Sequence, residues 1–542
     1  MSEHMIKNPI LPGFYPDPSI CRVGDDFYMV CSSFELYPGI PVFHSKDLAH
    51  WEQLCYAMTK ENGFHVEANV ETGGVMAPTI RYHDGIFYII NANFCDKGNF
   101  IVTATDPSGP WSRPYWLDDV PGIDASLFID EDGSAYILGT GNVVKRADGN
   151  MERGIWLCEF DLQAMKLTGE PTAIWDSALR NAASPEAPHL YHKDGYYYLV
   201  IAEGGTEHYH SVTVARSREI KGWYEGFPGN PVMTHRQMGY DCEIANVGHA
   251  DLVETDSGNW YAVMLASRTI GGYYKNLGRE TYICPVKWER GWPVLSPGTG
   301  KIEWEYEADP DLPWTEGLTE EEQITDQLPV NWCFWGTPYG DFWRVENGEV
   351  TLKCLPRRIN EPLKCLLDES ENGRKDDCVS FVGRRVTGID YRFSCRMDFT
   401  PQENETAGLV LLQASDHQYR MEKSLKDGEE VLRVILSWSE MDVPPHFPNF
   451  KSETKEKVLA EIPAPPADAE LCVEVEGQDF NFFYEENGQR CTVYEHADGR
   501  LINPEIVGCM TGMMAGVFAS GNGKESGNRA VFSGISYQDA TV

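Results

Sequence analysis

One short pattern, a polar turn followed by an aromatic-rich strand, recurs five times in the first half of the chain. The copies are GDDFYMV (24–30), HDGIFYII (83–90), DEDGSAYIL (130–138), KDGYYYLV (193–200) and TDSGNWYAVM (255–264). Turn residues of this kind between apolar runs signal β-hairpins. Each copy follows a second short strand: PDPSICRV (16–23), MAPTIRYH (76–83), IDASLFID (123–130), EAPHLYHK (186–193) and GHADLVET (248–255). Taking Tyr28, Tyr88, Tyr136, Tyr197 and Tyr261 as markers, the copies lie 60, 48, 61 and 64 residues apart. Each interval holds about four short strands with their turns. Helical periodicity is weak, and Gly and Pro recur. The repeat therefore predicts an all-β fold, a five-bladed β-propeller in which each sheet keeps only short edges. A β-sandwich with coincidental hairpins is the weaker alternative.

The repeat also predicts where chemistry sits. The first strand of each blade lines the channel of a propeller. Eleven or twelve residues before each marker stand Asp17, Ala77, Asp124, Glu186 and His249. These positions are expected to be equivalent and to surround one channel mouth, so that three carboxylates and a histidine converge. Carboxyl groups with divergent pKa values suit cleavage of a glycosidic bond. One protonates the leaving oxygen while another assists attack at the anomeric carbon. A third carboxylate nearby keeps the acid protonated, because like charges disfavour ionisation. The residues alone do not say which carboxylate does what.

At 542 residues the chain is too long for a single core. Residues 1–307 are assigned to the propeller. The stretch EYEADPDLPWTEGLTEEEQIT is acidic and contains Pro, and 308–322 reads as a linker. Residues 323–542 carry period-2 stretches such as EVTLKCL, YRFSCRMDFT, AGLVLLQAS and VLRVILSWSE, expected to form a jelly-roll-like β-sandwich accessory domain.

Composition excludes several partners. With 45 Lys and Arg against 83 Asp and Glu, the net charge is −38, which repels nucleic acid and anionic lipid. A neutral oligosaccharide meets no such conflict. There are fifteen cysteines and no CxxC pair, which argues against a zinc ribbon or a thioredoxin-type site. The N-terminal residues MSEHMIKNPI lack an apolar signal core, and no run approaches the ~18 apolar residues of a membrane span. A reducing cytoplasm is the expected location, where the chain would meet imported oligosaccharide fragments. Homo-oligomerisation is left open.

The run GFYPDPSICRVGDDFYMVCSSFELYPGIPVFHSKDLAHWE resembles the opening of family-43 glycoside hydrolases of the β-xylosidase/α-L-arabinofuranosidase type. GIDASLFIDEDG, SPEAPHLYHKDGYYYLVIAEGGTEHYH, NVGHADLV and NLGRET resemble that family's later signatures, in order, and 323–542 resembles the sandwich appended in this subgroup. The resemblance implies a five-bladed propeller and hydrolysis with inversion. It implies Asp17 as general base, Asp124 as the carboxylate that orients the acid and raises its pKa, and Glu186 as general acid. It implies substrate contacts from Phe34, Met76, Ala77, Thr206, His249, Arg279 and Phe518, the last reaching over the pocket from the sandwich. It implies no cofactor for the chemistry, and a structural Ca²⁺ or a water in the channel beside His249. Two departures stand out: Met76 replaces an aromatic that would stack on sugar, and Ala187 follows the acid where the family has Gly. The expected activity is exo-cleavage of terminal xylose or arabinofuranose from xylan- or arabinan-derived oligosaccharides. The alternatives are a galactoside, endo-acting arabinan cleavage, or a non-catalytic carbohydrate-binding propeller.

Overall fold

The computed structural model describes residues 4–66, 73–93, 96–176, 182–317, 323–361, 378–439, 454–507 and 510–540. Five antiparallel sheets follow one another along the first 295 residues, each built outward in chain order. Blade one comprises Ser19–Val23, Asp26–Val30, Gly39–Ser45 and Glu52–Met58. Blade two comprises Thr79–His83, Ile86–Asn93, Gly98–Ala104 and Tyr115–Trp116. Blade three comprises Ile123–Ile129, Ala135–Lys145, Met151–Asp161 and Lys166–Leu167, with Thr172–Trp175 added beside its third strand. Blade four comprises Glu186–Lys193, Tyr196–Glu203, Ser211–Ser217 and Glu225–Gly226, and blade five Ile244–Glu254, Trp260–Arg268, Glu280–Glu289 and Trp292–Leu295.

The predicted turns close the first hairpin of every blade. In blades two and four, Asp84–Gly85 and Asp194–Gly195 hold positive φ at both residues (48° and 81°, 51° and 72°), as the tightest twisted hairpins require. The first strands neighbour one another in cyclic order, and the fifth returns to the first. Neighbouring blades share hydrophobic clusters, for example Ile90 with Ile137, Leu157 with Leu199 and Val214 with Met264. The chain start closes the ring: Met5–Lys7 pairs with Glu305–Glu307, and Asn8 Nδ2 donates to the Ile283 and Glu303 carbonyls, each at 2.9 Å.

A buried carboxylate ties the blades together inside the channel. Asp251 of blade five accepts bonds from Arg81 of blade two (2.9 and 3.1 Å), Ser19 Oγ (2.7 Å) and the Ile20 amide (3.1 Å) of blade one, and the Tyr191 hydroxyl of blade four. Burial opposes its charge, but Arg81, His189 and the Tyr191 hydrogen bond together outweigh burial and hold the carboxyl well below its ordinary range.

The second domain packs an eight-stranded sheet on a seven-stranded one. It departs from the expected boundaries at one strand. The outermost strand of the larger sheet is Leu36–Tyr37, from a loop of blade one, which pairs with Trp332–Trp335. The acidic stretch after residue 307 packs against the propeller in its described part. Leu312 and Trp314 pack on the cluster between blades one and five, Trp314 stacks on His4 at 4.4 Å, and the Thr315 amide donates to Asp47 (2.9 Å). Two apolar side chains set in the acidic run supply that adhesion. The remaining residues of the predicted linker, 318–322, lie outside the described residues.

Candidate active site

The five positions singled out by the repeat lie at one end of the five innermost strands. Strand register refines their equivalence. Tyr28, Tyr88, Tyr136 and Tyr261 face Cys21, Arg81, Phe128 and Val253, which places Asp17, Ala77, Asp124 and His249 each four residues before the facing residue. In blade four Tyr197 faces His192, so Pro188 holds that position and Glu186 stands two residues nearer the strand start. The expected equivalence of Glu186 with Asp17 and Asp124 is corrected accordingly.

The backbone at this rim is locally irregular. Asp17, Asp124, Ala187 and His249 all have left-handed φ, between 50° and 56°. The pairing register shifts between Ile123 and Ser126, between Glu186 and His189, and between Gly248 and Asp251. Such bulges re-aim side chains, and they concentrate at barrel rims and active sites. Each left-handed non-glycine residue costs about 1–2 kcal/mol, a strain typical of functional positions. Ala187 accepts that cost where glycine would not, and its amide donates to Asp124 Oδ2 at 3.2 Å.

Asp17 is held as a carboxylate. It is 4% exposed and accepts from Ser32 Oγ (2.5 Å) and from an Arg279 guanidinium nitrogen (2.8 Å), with His249 Nδ1 at 3.4 Å. Burial would raise its pKa, but Arg279, His249 and the Ser32 bond together lower it. The other two carboxyls shift the opposite way. Asp124 is pushed well up by burial and then by the charges of Glu186 and Asp17. Glu186 is also raised, by burial and by Asp17, against the opposing pull of Arg153, whose guanidinium is paired directly with its carboxylate. Asp124 and Glu186 are therefore shifted toward the protonated form, and Asp17 toward the ionised one.

Arg279 is 6% exposed and donates to Thr206 Oγ1 (3.1 Å) as well as to Asp17. Its Nε and second terminal nitrogen are buried without a hydrogen-bond partner, so two donors await an acceptor. Leaving buried donors unmet costs about 1–3 kcal/mol each. Phe34 lies under this guanidinium, its ring centre 5.5 Å away, and stacks with Phe14. Ala77 is buried at the blade-two position. Met76 is partly buried against the cluster of Phe14, Phe34 and Phe518. Phe518 corrects an expectation. It has no exposed surface (0%) and faces Phe381 across the sheet, so it supports the wall behind Phe34 without reaching over the pocket.

Several contributors had no signal in the repeat. Ser32 and Arg153 touch the carboxylates from outside the marked positions. His210, in the segment read from sequence as pocket loop, is buried; its Nδ1 pairs with the Asn246 carbonyl at 2.9 Å. A side chain at Gly248 would place Cβ 2.5 Å from the His210 ring, so glycine there permits the close packing.

A cation beside His249 fits poorly. A hard cation such as Ca²⁺ takes six to eight oxygen ligands. The nearby carboxylates are already paired with guanidinium groups, Asp17 with Arg279 and Asp251 with Arg81. Burial and Arg279 keep the His249 imidazole below its ordinary pKa. Among the described residues no cluster of three or more His, Cys, Asp or Glu is arranged to hold a metal. No step below is routed through an ion.

Arg153 gives a pH-dependent test of this electrostatic picture. If Glu186 is the acid that the sequence resemblance implies, it acts only when protonated, and activity then falls as pH rises through its pKa. Removing Arg153 removes a term that lowers that pKa. Arg153→Met is therefore expected to move the basic limb of the kcat/KM profile to higher pH, leaving the acidic limb set by Asp17 in place. A basic limb that stays put or moves down would contradict the pairing.

Comparison with known proteins identifies the family of both domains. Residues 6–293 match the glycosyl hydrolases family 43, and residues 323–538 match the β-xylosidase C-terminal concanavalin A-like domain. The chain is 42% identical over 536 residues to a xylosidase/arabinosidase of Butyrivibrio fibrisolvens, covering 97% of this chain and 98% of that one. It is 34% identical to a non-reducing end α-L-arabinofuranosidase of Bacteroides ovatus, covering 98% and 94%. A crystal structure of a xylan β-1,4-xylosidase from Bacillus halodurans superposes with a TM-score of 0.85 at 29% identity, covering 98% and 100%. Two matched domains, one ring of five blades and three carboxylates at its mouth lead to one assignment: the chain belongs to glycosyl hydrolases family 43.

Proposed function

We propose that the enzyme is an inverting exo-glycosidase that releases terminal xylose or arabinofuranose from xylan- or arabinan-derived oligosaccharides. What supports the mechanism is the divergence of the carboxyl surroundings: Arg279, His249 and the Ser32 bond lower the pKa of Asp17, while burial raises those of Asp124 and Glu186. Groups whose surroundings drive their pKa values apart are the acid and base of a hydrolase.

In this reading Asp17 takes a proton from the attacking water, and Ser32 and Arg279 fix its direction. Glu186 gives its proton to the departing glycosidic oxygen. Asp124 remains beside the acid, opposing its ionisation and accepting the Ala187 amide bond that fixes the local backbone. Arg279 and Thr206 bind hydroxyls of the terminal sugar. Inversion needs a water between base and sugar, which sets the working carboxyls about 6.5–9.5 Å apart. The sugar preference is supported by the names of the relatives, and both pentoses present similar hydroxyls to one pocket.

A panel of aryl glycosides tests the reading. Aryl β-D-xylopyranoside and α-L-arabinofuranoside are expected to be cleaved, with kcat/KM exceeding that for the aryl galactoside by at least about a hundredfold. Xylo- and arabino-oligosaccharides should lose single terminal sugars. Internal cleavage, or a preference for the galactoside, would refute it.

A further inference from the structure

We propose that His208, Tyr209, Tyr240 and Tyr273 form an exposed aromatic platform at the pocket mouth, which binds the leaving side of a neutral oligosaccharide beyond the scissile bond. The proposal rests on the glycosidase reading above.

Large apolar side chains scattered singly over a surface are ordinary, as with Trp223, 99% exposed. These rings differ because they are grouped. Tyr209, Tyr240 and Tyr273 are 61%, 54% and 41% exposed. His208 stacks on Tyr240 at 3.9 Å and 18°, with Tyr209 at 5.1 Å on one side of the pair and Tyr273 at 6.1 Å on the other. Three separate loops thus contribute to one run of rings. Exposed apolar surface gathered beside a functional pocket marks a contact surface.

Position selects the occupant. Ala202 lies opposite Glu186 in the blade-four hairpin. Four residues on, Thr206 accepts the bond from Arg279, and His208 and Tyr209 follow directly. At about 3.3–3.6 Å per residue, the platform begins within roughly 10 Å of the pocket. In the exo-acting reading the pocket holds only the terminal sugar, so rings at its mouth would meet the remaining, leaving part of the chain. Tyrosine and histidine rings offer an apolar face to the C–H side of a sugar and a polar edge to its hydroxyls.

The loops are anchored and hold the rings in place. The Gly204 amide donates to the Ala183 carbonyl (2.8 Å), and the His210 amide to the Glu207 carbonyl (2.9 Å). Gly204 has φ 91°, and a Cβ there would meet the Tyr209 carbonyl oxygen at 2.1 Å. Lys275 Nζ donates to the Tyr273 carbonyl (2.8 Å) and to Glu505 (2.7 Å), securing the third loop to the sandwich domain.

The experiment measures kcat/KM against chain length for xylo- and arabino-oligosaccharides of two to six units, with an aryl monoglycoside as reference. The wild type is compared with the triple variant Tyr209→Ala, Tyr240→Ala, Tyr273→Ala. Wild-type kcat/KM should rise with length, and the variant should lose about tenfold on the longest chains while staying within twofold on the aryl substrate. Calorimetry of the xylohexaose and arabinohexaose complexes in a Glu186→Ala background, with and without the triple substitution, should show the same tenfold loss of affinity. Equal length dependence in both proteins, or no length dependence in the wild type, would overturn the proposal. So would a change of sedimentation mass in the variant, which would make the rings a contact between copies of the chain. If the wild type cleaves no aryl glycoside, the glycosidase reading fails separately and calorimetry alone decides the platform.

Discussion

Replacing Glu186 with alanine is expected to separate substrates by their leaving groups. In the proposed mechanism a natural oligosaccharide departs as a poor alkoxide and needs the proton that Glu186 would supply. An activated aryl glycoside departs as a stabilised phenolate and needs little help. Loss on oligosaccharides should reach about a thousandfold to ten-thousandfold, and loss on a nitrophenyl glycoside should stay below about a hundredfold. The same substitution removes one charge that raises Asp124 and frees Arg153 from its ion pair. Equal losses on both substrate types would remove Glu186 from the acid role.

The second large effect concerns Asp17. Asp17→Ala should lower kcat on every substrate by roughly a thousandfold to ten-thousandfold, with no dependence on the leaving group. The substitution also leaves the buried Arg279 guanidinium without its carboxylate, so a folded variant must be verified by its melting transition. Azide, which needs no base to activate it, should restore turnover on an aryl substrate and yield a glycosyl azide. A variant that keeps more than about a tenth of wild-type activity would rule out the base role.

The blades were readable because a tyrosine and a polar turn recur at nearly constant spacing, and hairpin register follows directly from such turns. Asp17 and Asp124 inherited their placement from that register. Glu186 stands two residues off the register position its blade shares with the others, beside a bulge at Ala187. No side-chain pattern marks that bulge, since glycine is the usual signal for left-handed backbone and alanine stands there. Arg153 lies 33 residues before Glu186, and only the pairing of long strands in blade three brings it over the acid. Composition marked 308–322 as a linker and gave no sign of where its described part lies, which Leu312 and Trp314 decide by packing on the propeller. Phe518 was read as a pocket residue, and the sheet register turns it into the core at the domain junction.

The account holds that water attacks directly, activated by Asp17, while Glu186 protonates the opposite side of the bond. Proton NMR of the sugar formed in the first turnovers, recorded before mutarotation, tests this most directly. A β-xyloside should first yield α-xylose. An initial β-anomer would mean a covalent intermediate and would contradict the assigned roles of both carboxylates.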